Sequence, residues 1–316
     1  MANKKMGMVP SRLTLGTVQL GMPYGIHNRN GVPSEESSFE LLREAWEGGV
    51  VSFDTASAYG QSEMLLGRFF EGKRPLIMTK IAMQPEPGAT PDMIERDMRE
   101  KIERSLVHLR LSVVPILMLH NTDVMKHYGD AISGSFRTMV REGLVEKAGI
   151  SISHNTKEEY ETMWKYLQDD SYDAIQIPMN MLDHRPLRNG CLDMLSRAGK
   201  TVFVRSVFLQ GLIHMKAEEL PAGLQEARGP LAVLRELSER YTIPLAQMAV
   251  SFIRDMPGVN SLIIGAETRE QVRENMALIG GPAIPDRMRA EMMELFRDVP
   301  EKVITPGHWN RTAFPL

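Results

Sequence analysis

Short apolar runs alternate with longer stretches of helical periodicity along most of the chain. The apolar runs are rich in aliphatic and β-branched residues and do not alternate cleanly with polar ones. Strands that are buried on both faces have this pattern, which is typical of a parallel sheet covered by helices. The runs predict eight strands, at Leu13–Gly16, Val50–Asp54, Leu76–Thr79, Val114–Leu119, Lys147–Ser151, Ala174–Ile177, Val202–Arg205 and Ser261–Ile264.

The stretches between these runs carry the signals that begin and end helices. Ser34 precedes two glutamates, as an N-cap residue does, and apolar residues with helical spacing follow until Gly48. Pro91 opens a second helix, whose Ile94 and Met98 lie on one face. We expect further helices at about 62–70, 130–142, 157–168, 187–198, 230–240, 244–255, 268–278 and 286–297.

Eight strands that alternate with helices over roughly 250 residues predict an α/β fold, a closed (β/α)8 TIM barrel. An open doubly wound sheet is the main alternative. No glycine-rich linker or charge block divides the sequence, so residues 1–316 are predicted to form a single domain. The region 207–229 is too long for a tight connection, and we expect it to fold over a ligand.

Composition narrows the class of protein. The chain of 316 residues is 43% hydrophobic and 24% charged, an ordinary globular mixture, and its net charge of −3 supplies no overall basic field for nucleic acid. Cys191 is the one cysteine, which excludes an internal disulfide and favours a reducing, cytoplasmic location. We find no secretory signal in residues 1–10 and no apolar run of about 18 residues, so no membrane span is expected. The spacing of the histidines predicts no metal site.

Four residues with complementary chemistry follow the predicted strands, where a barrel carries its active site. Asp54 ends the second strand, Tyr59 lies in the loop after it, Lys80 follows the third strand and His120 follows the fourth. Each alone has an ordinary structural explanation: a cap for Asp54, a solvated lysine, a structural histidine and a packed tyrosine. Closure of the barrel would bring all four together.

As a group, these four residues indicate proton transfer. An ammonium near a phenol lowers the pKa of the phenol, and a carboxylate would hold that ammonium in place. An imidazole could donate a hydrogen bond to a substrate oxygen. The set could protonate the oxygen of a carbonyl while a hydride attacks its carbon, or catalyse the reverse step.

The residues around these positions resemble the signature of the aldo-keto reductase family. The matching segments, in chain order, are Phe53-Asp54-Thr55-Ala56, Tyr59-Gly60, Ser62-Glu63, Leu66-Gly67, Thr79-Lys80, Leu119-His120, Gly149-Ile150-Ser151, Gln176-Ile177-Pro178-Met179-Asn180, Arg205-Ser206, Gln210-Gly211-Leu212, Ile263-Ile264-Gly265-Ala266 and Glu274-Asn275. The resemblance implies an NAD(P)H-dependent barrel enzyme that reduces an aldehyde, a ketone or a sugar carbonyl, or catalyses the reverse. It also implies that Tyr59 is the general acid, that Lys80 lowers its pKa and pairs with Asp54, and that His120 orients the carbonyl.

The same resemblance implies a cofactor site. Ser151 and Gln176 would bind the nicotinamide carboxamide, although Ile152 replaces an asparagine that many relatives use there. Arg205 would stack on the ring, and Asn275 would contact adenine. The full implied set is Gly16, Thr17, Asp54, Ser151, Gln176, Arg205, Ser206, Phe208, Gln210, Gly211, Gly265, Ala266, Thr268, Gln271, Glu274 and Asn275.

The choice between NADPH and NADH depends on charge near the adenosine ribose. Gly265 and Gln271 stand where NADPH-specific relatives place a lysine and an arginine, yet other relatives with Gly-Ala and Gln still use NADPH. Arg269 and Arg273 are close enough in sequence to supply charge, although a solvated helix face explains both equally well. The resemblance therefore favours NADPH, with NADH as the alternative.

The resemblance also implies a substrate pocket for a small-molecule carbonyl or alcohol at His120, bordered by a C-terminal tail at 298–316 that carries Trp309. Tyr24, in the loop after the first strand, is a second candidate for the wall of this pocket. Ordinary packing or a surface position explains Tyr24 and Trp309 equally well. Two other functions stay open: a Schiff-base lyase of the aldolase type acting through Lys80, and a non-catalytic subunit that senses the cofactor. The sequence predicts neither the substrate nor the oligomeric state.

Overall fold

Parallel strands that close into a barrel form the centre of the protein. The structure is a computed structural model, and it describes residues 9–26 and 31–309. Each strand pairs with its neighbours in the chain, and β1 closes the barrel against β8, with Gly16 opposite both Asp54 and Gly265. The strands are β1 (Leu13–Gly16), β2 (Ser52–Asp54), β3 (Leu76–Ile81), β4 (Val114–Leu119), β5 (Val145–Ser151), β6 (Ala174–Pro178), β7 (Thr201–Arg205) and β8 (Ser261–Gly265).

Helices cover the outside of this barrel. The predicted N-cap at Ser34 is confirmed, since the side chain of Ser34 accepts a hydrogen bond from the N–H of Ser37. Thr156 and Thr268 cap their helices in the same way. The helices are α1 (Val18–Gly21), α2 (Glu35–Glu47), α3 (Ser62–Phe69), α4 (Pro91–Leu109), α5 (Met125–Glu142), α6 (Lys157–Gln168), α7 (Arg185–Arg188), α8 (Cys191–Arg197), α9 (Arg228–Tyr241), α10 (Leu245–Arg254), α11 (Arg269–Gly280), α12 (Asp286–Leu295) and α13 (Glu301–Ile304). Short 3-10 helices cover Leu209–His214, Ala217–Glu219, Ala222–Ala227 and Pro306–His308.

The closed (β/α)8 barrel in a single domain confirms the predicted fold class and excludes the open sheet. All eight predicted strands are present, with ends that differ by up to two residues. The helix predicted at 187–198 is instead two, α7 and α8, because Gly190 between them has a positive φ of 77°. The region 207–229 forms three of the 3-10 helices and follows β7 directly.

The interior of the barrel is layered by the two-residue period of its strands. Near its middle lies a small apolar cluster that includes Leu76 and Met78 of β3 and Phe203 of β7. Successive side chains of a strand point to opposite faces, so Lys80 and Arg205, each two residues beyond a member of this cluster, face the interior as well. The carboxyl end of the barrel is therefore lined by polar residues above an apolar layer.

Candidate active site

The two-residue period brings polar side chains from six strands to the same end of the barrel. Each lies two residues after another inward-facing position of its strand, or directly after the strand. These residues are Asp54 of β2, Lys80 of β3, His120 after β4, Ser151 of β5, Gln176 of β6 and Arg205 of β7.

A buried network joins four of these side chains. The ammonium of Lys80 is fully buried and donates to Asp54 Oδ1 at 2.7 Å and to the carbonyl oxygen of Thr55 at 2.9 Å. Gln176 Nε2 donates to the same carboxylate oxygen at 2.8 Å, and Ser151 Oγ donates to Gln176 Oε1 at 3.1 Å. Because every member has a partner, the low-dielectric interior fixes their orientations.

Tyr59 and His120 lie beside this network. The Lys80 ammonium is 5.2 Å from the centroid of the Tyr59 ring, and the rings of Tyr59 and His120 are 5.8 Å apart and nearly perpendicular. A close backbone approach positions the tyrosine: a Cβ on Gly21 of α1 would come within 1.8 Å of the carbonyl oxygen of Tyr59. Gly60, with a φ of 52°, would collide with Gly21 in the same way. The structure thus brings all four predicted catalytic residues together.

Burial is the largest cause of the pKa shifts in this cluster. It lowers the pKa of His120 to about 3, and the positive charges of Lys80 and Arg205 add to the effect, so the imidazole is neutral near pH 7. Burial also raises the pKa of Tyr59, and the Asp54 carboxylate adds to this while Arg205 opposes it. The net direction for Tyr59 is opposite to the one expected from Lys80, because burial is the largest cause and the Asp54 carboxylate acts in the same direction. The phenol therefore keeps its proton.

The pKa of Lys80 is lowered by burial, while the attraction of Asp54 opposes this shift. The ammonium lines neither of the two cavities described below. Its contacts are with Asp54, Thr55 and the ring of Tyr59. Lys80 is thus placed to act on Tyr59 rather than to touch a substrate directly.

A groove of about 400 Å³ runs from the barrel mouth to the start of α11. We call its two ends the inner end, beside Asp54, Tyr59 and Arg205, and the outer end, beside Gln271 and Glu274. The predicted cofactor residues that line it are Gly16, Asp54, Arg205, Ser206, Phe208, Gln210, Gly211, Gly265, Gln271, Glu274 and Asn275.

The groove offers polar groups to a dinucleotide. A Cβ on Gly265 would come within 2.4 Å of Gln19 Oε1 and would displace that side chain. That oxygen is buried and has no hydrogen-bond partner among residues 9–26 and 31–309. Ser206 and Gln210 have positive φ values of 64° and 53°, a strained backbone of the kind found at ligand sites.

A second cavity of about 410 Å³ adjoins the inner end. The three residues predicted for the substrate pocket, Tyr24, His120 and Trp309, all line it, and so does Tyr59. Trp309 is buried, and Nε1 of its indole donates to the carbonyl oxygen of Lys302 at 2.9 Å. The described part of the predicted tail, 298–309, therefore borders this cavity, while residues 310–316 of that prediction lie outside the described residues.

Several predicted cofactor residues do not line the groove. Thr17 is buried and donates to the carbonyl oxygen of Asp54 at 2.8 Å, which supports the strand end. Ala266 is buried in the core, and the side chain of Thr268 caps α11. Ser151 contacts Gln176, and Gln176 itself lines the second cavity.

The two arginines that the sequence offered for a 2′-phosphate lie outside the groove, and Arg273 contacts helix α2. Arg273 forms two hydrogen bonds of 2.7 Å with the carboxylate of Glu44, and the pKa of Glu44 is lowered by this bond and by the charge of Arg269. Neither arginine lines the groove. Among the described residues, Glu267, Gln271 and Glu274 line its outer end.

Sequence reasoning missed several lining residues. Gln19 lines the groove, and its position three residues after Gly16, the last residue of β1, is the signal that could have shown it. Ser153 and His154 line the second cavity from the loop after β5. They lie two and three residues beyond a predicted site residue, so a search of whole loops would have included them.

Within the described ranges, no three His, Cys, Asp or Glu side chains are arranged to hold a metal ion. None of the helices in those ranges is both long enough and apolar enough to cross a membrane.

Comparisons with known proteins agree with this geometry. Residues 12–294 match the model of the aldo/keto reductase family. The chain is 25% identical to L-glyceraldehyde 3-phosphate reductase of Escherichia coli strain K12 over 91% of both chains. It is 24% identical to the NADH-specific methylglyoxal reductase of the same strain, covering 85% of this chain and 90% of that one. The aldo-keto reductase AKR11C1 from Bacillus halodurans in its holo form superposes with a TM-score of 0.72 at 23% identity, covering 90% of this chain and 92% of that one.

Proposed function

This chain belongs to the aldo/keto reductase family, and from that premise we propose that it is an oxidoreductase that uses a nicotinamide cofactor to reduce an aldehyde, a ketone or a sugar carbonyl, or to catalyse the reverse. The observation that carries the proposal is the position of Tyr59 and His120 on a cavity wall, directly beside the buried pair of Asp54 and Lys80. The names of two relatives, which describe reductases of small aldehydes, support a small carbonyl substrate.

The groove is the proposed cofactor site. Gln176 and Arg205 would lie beside the reactive ring, Ser206 and Gln210 along the pyrophosphate, and Asn275 near the adenine. A nicotinamide cofactor bound there would supply a hydride to the carbonyl carbon. The buried network of Asp54, Lys80, Gln176 and Ser151 would hold the inner end in one arrangement before the cofactor arrives.

The residues of the chain would supply and direct the proton. In reduction, the O–H bond of Tyr59 breaks and its proton forms a new O–H bond with the carbonyl oxygen; solvent then restores the proton. The raised pKa of Tyr59 keeps that proton available. The nearby charges of Lys80 and Arg205 would stabilise the phenolate that remains. Neutral His120 would donate a hydrogen bond to the same oxygen and so orient the carbonyl.

The lyase alternative has less support from the geometry. A Schiff base requires the amine of Lys80 to reach a carbonyl carbon. This amine is fully buried, donates to Asp54 and Thr55, and lines neither cavity. Its position therefore favours a role in holding and tuning Tyr59.

For the cofactor, we propose that both NADH and NADPH bind. The sequence favours NADPH, but of the arginines that supported this expectation, Arg273 binds Glu44 and neither Arg269 nor Arg273 lines the groove. Carboxylates from Glu267 and Glu274 line the outer end of the groove instead. We therefore expect a weak preference between the two cofactors.

A labelling experiment tests the function directly. The purified chain is incubated with a panel of aldehydes, ketones and sugars and with reduced cofactor that carries deuterium at the ring carbon that donates the hydride. We expect cofactor oxidation together with deuterium on the alcohol carbon of the product. Cofactor oxidation that leaves no deuterium in an alcohol, or no oxidation with any carbonyl, would contradict the proposal. Trapping of a substrate on Lys80 by borohydride would favour the lyase.

A further inference from the structure

We propose that Arg205 makes the site bind the reduced nicotinamide cofactor more tightly than the oxidised form, so that the reduced form fills the site and the oxidised form is released. The inference rests on the proposed function. The oxidised ring is a pyridinium with one positive charge, and the reduced ring is a neutral dihydropyridine. The rest of the dinucleotide is the same in both forms, so a fixed charge beside the ring distinguishes them.

Arg205 lies where the two cavities meet. It is the last residue of β7, it faces the barrel interior, and it lines both the groove and the second cavity, as Tyr59 does. Hydride transfer requires the ring to contact a substrate that also reaches Tyr59. A ring in that position has the guanidinium of Arg205 next to it.

The guanidinium is held in place by neutral acceptors. Its Nη2 donates to the carbonyl oxygens of Ile152 at 3.0 Å and Ser153 at 2.9 Å, and its Nη1 donates to Ser206 Oγ at 3.1 Å. Glu159 accepts the N–H groups of Ser153 at 2.6 Å and Asn155 at 2.9 Å, so its carboxylate holds the same loop rather than pairing with Arg205. Within residues 9–26 and 31–309, no carboxylate forms an ion pair with this guanidinium.

Among the described residues at the inner end, the other charges cancel. Asp54 and Lys80 form an ion pair of 2.7 Å. His120 is neutral, since its pKa is about 3, and the raised pKa of Tyr59 keeps the phenol neutral too. A guanidinium remains charged in proteins, which leaves Arg205 as the source of a net positive charge beside the ring.

This charge has a measurable consequence for binding. Two positive charges in a partly buried site repel each other more strongly than they would in water. We expect the dissociation constant of the oxidised cofactor to exceed that of the reduced cofactor by about tenfold. The same ratio lowers the equilibrium constant for carbonyl reduction on the protein by the same factor and leaves the equilibrium in solution unchanged. Its effect is therefore on exchange: the oxidised form leaves the site readily, and the reduced form replaces it.

The test measures both dissociation constants by isothermal titration calorimetry, with NADH against NAD+ and NADPH against NADP+. The full chain is compared with Arg205→Gln, which removes the charge, and with Arg205→Lys, which keeps it. Arg273→Gln is the matched control, because it removes one arginine charge at α11, outside the groove. We expect the oxidised-to-reduced ratio to fall by about tenfold in Arg205→Gln and to stay close to that of the unchanged protein in the other two variants.

The ratio of the two dissociation constants distinguishes an effect of the charge of Arg205 from an effect of its hydrogen bonds on the loop. If Arg205 only holds the loop at Ile152 and Ser153, Arg205→Gln weakens both cofactor forms equally, and the unchanged ratio overturns the inference. Equal affinity of the unchanged protein for both forms also overturns it, while the proposed function stands. If the unchanged protein binds neither form, the proposed function fails and the inference fails with it.

Discussion

At the inner end of the groove the polar side chains are buried and bind one another, whereas at the outer end they are exposed and lie along a helix start. Asp54 is 4% exposed and accepts hydrogen bonds from both Lys80 and Gln176. Gln271 and Glu274 are exposed residues of α11. The two ends belong to one groove but have different dielectric surroundings.

This difference in burial indicates where in the groove a substitution has a large effect. A buried polar group that loses its partner bears the full desolvation penalty, while an exposed one regains water. Salt and water also screen charges at the outer end. We therefore expect changes at the inner end to abolish function or stability and changes at the outer end to adjust cofactor preference.

The largest effect is expected from Tyr59→Phe, which removes the proposed proton donor at the inner end. Loss of a positioned general acid lowers kcat by about a thousandfold, while cofactor affinity should hardly change. Steady-state kinetics with the best carbonyl substrate and a binding titration measure the two quantities. Tyr241→Phe is the control, because it removes a hydroxyl that contacts Glu291 far from the groove. Retained turnover in Tyr59→Phe would show that another group donates the proton.

A second prediction concerns stability at the inner end. Lys80→Met leaves the Asp54 carboxylate buried without its cation and should lower the free energy of unfolding by about 3 kcal/mol. The double variant Asp54→Asn/Lys80→Met should recover part of this loss. Lys157→Met breaks an exposed pair with Glu161 and should lower the free energy of unfolding by less than about 1 kcal/mol. Urea unfolding measures all three variants, and equal losses for Lys80→Met and Lys157→Met would contradict the contrast between buried and exposed pairs.

The inner end was predictable from sequence to a large extent, and the reason is geometric. Asp54, Lys80 and His120 follow strands that parallel pairing brings to one end of a barrel, so their meeting follows from the fold. The sequence could not show how deeply Tyr59 is buried or which nearby charge has the larger effect on its pKa. The pKa of Tyr59 is raised rather than lowered because burial dominates and the charge of the Asp54 carboxylate adds to it.

The lining of the outer end was predicted less well from the sequence, because it depends on the direction in which each side chain points. Helical spacing placed Arg269 and Arg273 near the cofactor segment, but it did not show that Glu44 of a different helix would bind Arg273. Such a contact joins residues 229 positions apart. Likewise, Thr268 has a polar side chain in the right segment, yet it serves as the cap of α11.

The third prediction uses pH to probe the inner end. The folded-state pKa of His120 is about 3, against 6.5 for an ordinary histidine. The unfolded chain therefore binds an extra proton between these values, and stability is lost as pH falls below 6.5. Between pH 6.5 and about pH 5 this residue should lower the free energy of unfolding by about 2 kcal/mol. Urea unfolding of the unchanged protein and of His120→Gln should show the shallower pH dependence in the variant, and parallel curves would mean that the imidazole is not buried in neutral form.

The smallest effect is expected at the outer end, from Gln271→Arg. The side chain of Gln271 lines the groove, and its Oε1 accepts the N–H of Glu267 at 2.7 Å. An arginine there adds a charge that a 2′-phosphate can meet, but the site is exposed and Glu274 lies on the same wall. We expect the affinity for NADPH relative to NADH to rise by about threefold, measured by titration calorimetry at two salt concentrations. Gln168→Arg adds the same charge on α6 outside the groove and should leave the ratio unchanged. A hundredfold gain instead would mean that the outer end is as tightly structured as the inner end, and the contrast between them would not hold.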